Sequence, residues 1–368
     1  MKTKNQFSNN KIYFHSDRLL KVLSGSVTAP IVYELSLSGF CNCQCEYCCC
    51  QNYHNGRMLS ISDIDILAEQ LKGSAAAVTI TGGGEPLTNP NFCYCVKKMK
   101  SIGLSVGVIT NGLLLDNQII DIVIQNASFI RISLDTTNIE KYKLLRGINL
   151  DLETLENNLK LLCDKKRELH SKILIGTHIV FIDQPIDDIE NTIKFSKKCN
   201  IDFMQIRPQD NIPKSTLLRD YQFYIKNKIH LEKLSEMYSD NAFKVILNTD
   251  KFEEYYNKNV RKEYKKCLGA NFTAAIGHDM NLYFCCSHIG NSMFCIGNLR
   301  EHALEYLLYS EKRRQLIENP CFENCQIQYR NHKLNKLLHE LKKMDFNQQN
   351  ILITEKRKGS LPQHYEFL

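Results

Sequence analysis

Six thiols fall within twelve residues, Gly39-Phe40-Cys41-Asn42-Cys43-Gln44-Cys45-Glu46-Tyr47-Cys48-Cys49-Cys50. Packing alone does not ask for such a density in one loop. Cys41, Cys45 and Cys48 stand at C-x3-C-x2-C spacing, with Tyr47 directly before the third thiol. Three thiolates on a short loop can hold three irons of a [4Fe–4S] cube and leave the fourth iron without a protein ligand. An iron left open in this way can bind a small molecule and pass it an electron. Two plainer chemistries compete with this reading. A structural zinc site closes with four ligands, often as two C-x2-C pairs, and here only Cys45 and Cys48 form such a pair. A disulfide framework suits small secreted chains, not one of 368 residues without a secretion signal.

Further along stands Gly82-Gly83-Gly84-Glu85-Pro86. Glycines let backbone approach a ligand closely, and backbone carbonyls together with a carboxylate can hold an ammonium group. In isolation the segment reads as a plain glycine-rich turn. Thr110-Asn111-Gly112, Ser133-Leu134-Asp135 and Arg146-Gly147 follow, each weak alone, since Asn-Gly is ordinarily a turn and Arg146 a surface helix residue. A second thiol group comprises Cys267, Cys285, Cys286, Cys295, Cys321 and Cys325.

These motifs need elements to carry them. Ile31–Leu37 is β-branched and apolar and feeds the cysteine loop directly, as a buried strand would. Strands are expected at Ala76–Thr81, Leu104–Thr110, Phe129–Leu134, Lys172–Ile182 and Phe203–Ile206. Helices are expected between them at Ser60–Lys72, Pro90–Ile102, Asn117–Gln125, Asn138–Leu145, Leu152–Lys166 and Ile186–Cys199. Alternation of this kind argues for an α/β chain with a parallel sheet and right-handed crossovers. Chemistry in such sheets gathers at the C-terminal strand ends, where the motifs fall. After Pro208 the alternation stops; Leu217–Tyr238 reads as helix and Ala242–Leu247 as one more strand. Residues 1–28 carry little pattern.

Composition is that of an ordinary globular chain, 43% hydrophobic and 24% charged. The polar start and the lack of a long apolar run argue against a signal peptide or a membrane span, so a cytoplasmic location is expected. The net charge of +7 permits an anionic substrate without arguing for nucleic acid.

Cys41-x3-Cys45-x2-Cys48 followed by Gly83-Gly84-Glu85-Pro86 resembles the radical S-adenosylmethionine (SAM) superfamily. The resemblance implies a partial (β/α)6 barrel, TIM-like, over 31–210. It also implies a [4Fe–4S] cluster on Cys41, Cys45 and Cys48 and SAM chelated to its open iron. Reductive cleavage of SAM would yield a 5′-deoxyadenosyl radical that takes hydrogen from a substrate. It places Tyr47, Gly83, Gly84, Glu85, Asn111, Ser133, Asp135 and Arg146 around SAM: the glycine–glutamate segment at the amino group, the Ser133–Asp135 segment near the ribose, and Arg146 at the carboxylate. The second thiol group is similar to the SPASM or "twitch" extension, here 265–340, which holds a second, auxiliary [4Fe–4S] cluster. Asn281 stands where that extension usually has glycine. Cys267, Cys286, Cys321 and Cys325 are the expected ligands, with Cys285 competing because alternation lets only one of the adjacent thiols face the cluster. A zinc site on the same four thiols is the alternative. Residues 1–30 form a lead-in, 211–264 a helical connector and 341–368 a tail. The closing His364-Tyr365-Glu366-Phe367-Leu368 resembles the His-x-x-Phe-Leu ending of some superfamily members.

A sugar or other small-molecule intermediate suits a single auxiliary cluster acting as electron sink. A ribosomally made peptide is the second candidate, and the short N-terminus offers it little room. An electron donor such as flavodoxin or ferredoxin is implied. A non-catalytic iron–sulfur or zinc protein is the reading of a different class. Cys43, Cys49, Cys50 and Cys295 are spare thiols, Cys93, Cys95, Cys163 and Cys199 packing residues. Gln205 and Arg207 are expected either to reach into the barrel toward substrate or to form a rim salt bridge.

Overall fold

Periodicity in the chain is realised almost element for element in the computed structural model, which describes residues 9–182, 184–209, 214–256, 264–320, 329–358 and 361–368. A lead helix α1 (Ser16–Leu23) precedes β1 (Val32–Ser36), α2 (Ile61–Leu71), β2 (Ala77–Thr81), α3 (Phe92–Ser101) and β3 (Ser105–Thr110). Then come α4 (Asn117–Asn126), β4 (Phe129–Ser133), α5 (Ile139–Arg146), α6 (Leu152–Glu168), β5 (Leu174–Phe181), α7 (Ile186–Lys198) and β6 (Phe203–Pro208). The chain continues through α8 (Lys214–Tyr238), β7 (Lys244–Leu247), α9 (Thr249–Tyr256), β8 (Thr273–Ile276), β9 (Asn281–Tyr283) and β10 (Cys295–Asn298). Helices α10 (Leu304–Leu308), α11 (Glu311–Glu318), α12 (Tyr329–Leu341) and α13 (Phe346–Lys356) close it.

The strands form one open sheet in the order β10-β9-β8-β1-β2-β3-β4-β5-β6-β7, a partial barrel with helices packed on its outer face. Strands β1 to β7 are parallel, as the alternation predicts. β8 is an addition that sequence pattern does not show: it pairs in parallel with β1 on the side away from β2, and the β9–β10 hairpin extends it antiparallel. The C-terminal thiol region is therefore built on the barrel's own sheet.

Parity of the strands divides core from cavity. Val106, Val108, Ile130, Ile132, Ile175, Ile179, Met204 and Ile206 are fully buried in the main apolar cluster. The opposite parity faces inward: Glu34 and Ser36, Thr81, Ile109, Arg131 and Ser133, His178 and Val180, Gln205 and Arg207 line the cavity. Helix starts are well specified; Ser60 and Asp63 form a reciprocal cap on α2.

Lead-in and tail, both weakly patterned in sequence, pack together. α1 buries Leu19, Val22 and Leu23 against Phe272, Leu334, Leu338 and Ile353. Lys11 Nζ donates to the carbonyls of His364 (2.8 Å) and Phe367 (3.0 Å), and the Phe367 ring meets Phe129 edge-on at 5.0 Å. Phe129 opens β4, so the tail abuts the barrel at the N-terminal strand ends, opposite the cysteine loop. Gly107 leaves room for that ring: a Cβ there would lie 2.3 Å from Phe129 Cε1. Gly107→Ala is expected to cost about 1–3 kcal/mol by overpacking. Urea unfolding should show a lower midpoint with an unchanged slope.

Candidate active site

A cavity of about 440 Å³ opens at the C-terminal ends of the strands. It brings together Cys41, Cys45, Cys48, Tyr47, Gly83, Gly84, Glu85, Asn111, Ser133 and Arg146, residues spread over more than a hundred positions of sequence. Cys286 of the second thiol group lies on the same wall.

The cysteine loop is held from several sides. Gly84 N donates to Ser38 O (2.7 Å) and Glu85 N to Phe40 O (2.8 Å), which lays the glycine turn against the loop. A Cβ on Gly84 would lie 2.0 Å from Phe40 O, and one on Gly83, whose φ is 102°, would lie 1.9 Å from Ser36 Oγ. Only glycine permits this approach. On the far side, Gln44 N donates to Arg146 O (2.8 Å) and Glu46 N to Leu145 O (3.2 Å), so the open C-terminal carbonyls of α5 receive the loop.

Arg146 is 5% exposed and forms an ion pair with Asp135, whose side chain has no exposure. Asp135 accepts from two guanidinium nitrogens, from the Tyr47 hydroxyl and from Val180 N (2.8 Å). Four donors saturate a carboxylate. Burial opposes the charge on Arg146, but Asp135 foremost and then Tyr47 and Cys45 outweigh it and hold the guanidinium charged. Tyr142 adds its ring face at 5.6 Å. Asp135 therefore stands behind the cavity as an anchor and is not among its lining residues.

Glu85 is 4% exposed and likewise engaged. It accepts from Thr110 Oγ1 (2.5 Å), Asn111 N (2.8 Å) and Leu87 N (3.0 Å), which clamps the ends of β2 and β3 together. Burial raises its pKa, while those three hydrogen bonds pull the other way. Asn111 in turn donates to Asn42 Oδ1 (2.7 Å) and Cys43 Sγ (3.3 Å), tying the Thr110-Asn111-Gly112 turn to the loop. Cys43, a spare thiol, is 3% exposed and hydrogen-bonds the thiols on either side of it. That contact first, against burial and with help from Arg146, brings Cys45 down to about 7, within reach of the thiolate a metal needs. Burial sends Cys48 up to about 12.

The second thiol group divides. Cys286 faces the cavity, whereas Cys285 is buried and accepts from Asn331 Nδ2 at 3.6 Å. Cys267 accepts from Asn335 Nδ2 at 3.4 Å and does not line the cavity. Asn331 and Asn335 are one turn apart on α12. Cys321 and Cys325 lie outside the described residues. Cys95, Cys163 and Cys199 are buried as expected of packing residues, and Cys93 is partly buried against the same cluster.

Several lining residues escaped sequence reasoning: Arg131, His178, Asn248, Lys251, Arg330 and Glu34. Inward parity with Ser133 could have flagged Arg131, and parity with the strand end could have flagged His178. Gln205 and Arg207, read from the sequence either as an inward pair or as a rim salt bridge, line the cavity; Gln205 Oε1 accepts from Arg131 Nη1 at 3.0 Å.

Three thiols, a glycine turn that excludes side chains and a buried guanidinium thus meet on one cavity; these are donor types that an iron–sulfur cluster and a chelating ligand use, while no three Cys, His, Asp or Glu side chains among the described residues gather closely enough to hold a single metal ion. Residues 35–196 match the radical SAM superfamily. A probable GTP 3′,8-cyclase of Methanocaldococcus jannaschii is 29% identical over 130 residues, covering 34% of this chain and 43% of that protein. A GTP 3′,8-cyclase of Clostridium perfringens (strain SM101) is 25% identical over 183 residues, covering 48% of this chain and 55% of that one. The chain thus spans about half the length of the curated relatives it matches. Streptococcus suis SuiB, solved with S-adenosylmethionine, superposes at TM-score 0.61 and 15% identity over 80% of this chain and 67% of its own. anSMEcpe with bound AdoMet superposes at TM-score 0.57 and 14% identity over 89% of this chain and 100% of its own. At such identities the two structures share the fold.

Proposed function

With the domain at residues 35–196 making this chain a radical SAM superfamily enzyme, we propose that it cleaves SAM reductively to a 5′-deoxyadenosyl radical and takes hydrogen from a small-molecule intermediate, a sugar or similar compound. One observation carries the proposal: Cys41, Cys45 and Cys48 share a cavity with the Gly83-Gly84-Glu85 turn, Ser133 and Arg146. When bound there, a [4Fe–4S] cluster on the three thiolates supplies one electron and an open iron for a chelating ligand. The chain's own residues position and shield. Asp135 fixes Arg146, α5 fixes the loop backbone, and Glu85 fixes the β2 and β3 ends. With Glu85 engaged by three donors, recognition of an ammonium group falls to the backbone of the glycine turn. Ile109, Val180, Ala275 and Ile289 give the cavity apolar wall that limits water.

A small-molecule intermediate is the substrate class we favour, bound beside the cluster and SAM that the same cavity of about 440 Å³ would hold. The GTP 3′,8-cyclase relatives point the same way by name. A peptide substrate is the second reading, favoured by likeness of fold to SuiB, which has been solved with its precursor peptide. We further read Cys267, Cys286, Cys321 and Cys325 as ligands of an auxiliary [4Fe–4S] cluster. Cys286 on the cavity wall supports this, since an electron acceptor must stand near a substrate radical. No helix among the described residues is long and apolar enough to cross a membrane.

The deciding experiment is anaerobic reconstitution with iron, sulfide and a reductant such as flavodoxin, followed by assay for 5′-deoxyadenosine from SAM. Protein that fills with clusters yet never releases 5′-deoxyadenosine is an electron carrier instead. The Cys285–Cys286 choice has its own prediction. Cys286→Ala should lose about four irons per chain, whereas Cys285→Ala should keep them. The reverse result in iron analysis and Mössbauer spectra transfers the ligand to Cys285, which like Cys267 accepts from an asparagine of α12.

A further inference from the structure

The turn after β8 sends one side chain between the cysteine loop and the glycine turn. His278 stands two residues beyond Ile276, which is in register with Leu35 of β1. It lies outside residues 35–196, the span that matches the superfamily. Its side chain is 1% exposed, and its ring packs on Tyr53 with centroids 4.1 Å apart. Two glycines leave the space it fills. A Cβ on Gly39, where the loop begins, would lie 2.6 Å from His278 Nε2, and one on Gly83 would lie 3.2 Å from Nδ1. Close packing on three sides holds the ring in place.

What the ring holds is the Ser36 hydroxyl. His278 Nδ1 and Ser36 Oγ are 3.0 Å apart, and the other partner of that hydroxyl, Ser38 O, stands at 3.4 Å. Ser36 lines the cavity, and its Oγ packs so closely on Gly83 that a Cβ there would overlap it. Burial first, opposed by Asp279 and reinforced by His54 and Arg57, brings His278 down to about 4, so the ring is neutral near pH 7. A neutral imidazole either accepts the Ser36 proton at Nδ1 or donates from Nδ1 to the oxygen. Nε2 has no partner among the described residues, so nothing on that side fixes the tautomer. In the first case both lone pairs of Ser36 Oγ stay open. In the second the hydroxyl turns to Ser38 O and one lone pair stays open. Either tautomer leaves an acceptor on the cavity wall beside the glycine turn.

We propose that Ser36 Oγ accepts a hydrogen bond from the amino group of SAM and that His278 is the positioning residue that presents it. The assignment rests on the SAM reading above and adds to it two residues that no motif of the sequence marks. An ammonium group, or an amino group whose lone pair a metal has taken, offers only N–H donors, so its site must supply acceptors. Glu85 is filled by Thr110, Asn111 and Leu87, which leaves the backbone of the glycine turn and, beside it, the Ser36 oxygen. The ring that orients Ser36 comes from the turn between β8 and β9, the segment that leads on to Cys286 at the same cavity. The second thiol region thereby has a direct hand in the SAM site.

The test is isothermal titration of the anaerobically reconstituted holoprotein with SAM and with 5′-deoxyadenosine, which lacks the amino group. EPR spectra of the reduced cluster, recorded as SAM is added, report binding at the iron independently. Ser36→Ala should bind SAM about tenfold more weakly, the worth of one hydrogen bond to a charged group. Its EPR change should need correspondingly more SAM, while 5′-deoxyadenosine affinity stays at the wild-type value. His278→Phe keeps a ring against Tyr53 and the two glycines but loses Nδ1, and should weaken SAM about threefold or more. His278→Asn, whose amide can stand in for Nδ1, should recover part of that loss. Thermal melts identify any variant that has not folded, and Ser36→Ala, which removes one oxygen, then carries the comparison. Wild-type SAM affinity in Ser36→Ala overturns the assignment. So does a loss of 5′-deoxyadenosine affinity equal to the loss for SAM, because the cavity as a whole would then have changed. Wild-type affinity in His278→Phe removes the role of His278 and leaves that of Ser36. A wild type that binds no SAM removes the proposed function and this role with it, whereas a wild type that binds SAM as well as Ser36→Ala does removes this role alone.

Discussion

Cys45→Ala protein, reconstituted anaerobically, should release no 5′-deoxyadenosine above the protein-free background. It should also hold about four irons per chain against about eight for the wild type, the remainder residing on the second thiol group. The reason is positional. Cys45 lies between the two contacts that pin the loop to the end of α5, through Gln44 N and Glu46 N, and is the middle thiol of the C-x3-C-x2-C spacing. Cys43 is the control. It is buried and tied to Asn111 Nδ2, so Cys43→Ala should keep the irons. Cys325→Ala should show the complementary pattern, losing auxiliary iron while some SAM cleavage survives. Equal loss of cleavage in Cys45→Ala and Cys325→Ala would overturn the division of labour between the two thiol groups.

Asp135→Ala should destabilise the protein by about 3–5 kcal/mol, the cost of leaving a buried guanidinium without its partner. Both members of the pair are almost wholly inaccessible, and Tyr47 and Val180 N lose their acceptor as well. The loss should reach the chemistry. Arg146 and Leu145 present the carbonyls that hold Gln44 and Glu46, so a displaced α5 end loosens the loop between Cys41 and Cys48. Denaturant unfolding should report the stability change, and SAM titration of the reconstituted variant a weaker affinity. Asp135→Asn, which keeps one acceptor oxygen, should fall between the two. Stability within about 1 kcal/mol of wild type, together with unchanged SAM affinity, would show that the pair does not brace the loop.

Asp135 also shows where reading by motif and reading by structure part company. Its place after β4 is legible in Ser133-Leu134-Asp135. That its carboxylate is filled by Arg146, Tyr47 and Val180 N is not legible, because the donors come from three separate segments. Glu85 behaves similarly. The glycine turn is plain in the chain, while the clamp onto Thr110 and Asn111 depends on β2 and β3 being neighbours. Residues 9–23 and 361–368 have too few periodic apolar positions to announce that they pack together.

Sequence by itself determined the alternation of strands and helices and the thiol spacing from Cys41 to Cys48, because both are local. Side-chain period and ligand reach are set by residues a few positions apart. Tertiary structure alone decided which polar side chains meet on the cavity wall. Arg131, His178, Arg207 and Lys251 come from four elements, and only strand register and inward parity set them on one wall. It alone put β8 beside β1, and with it Cys286 on the same cavity as the first thiol group. Those placements rest on hydrogen bonds between strands distant in the chain, which no spacing within a segment encodes.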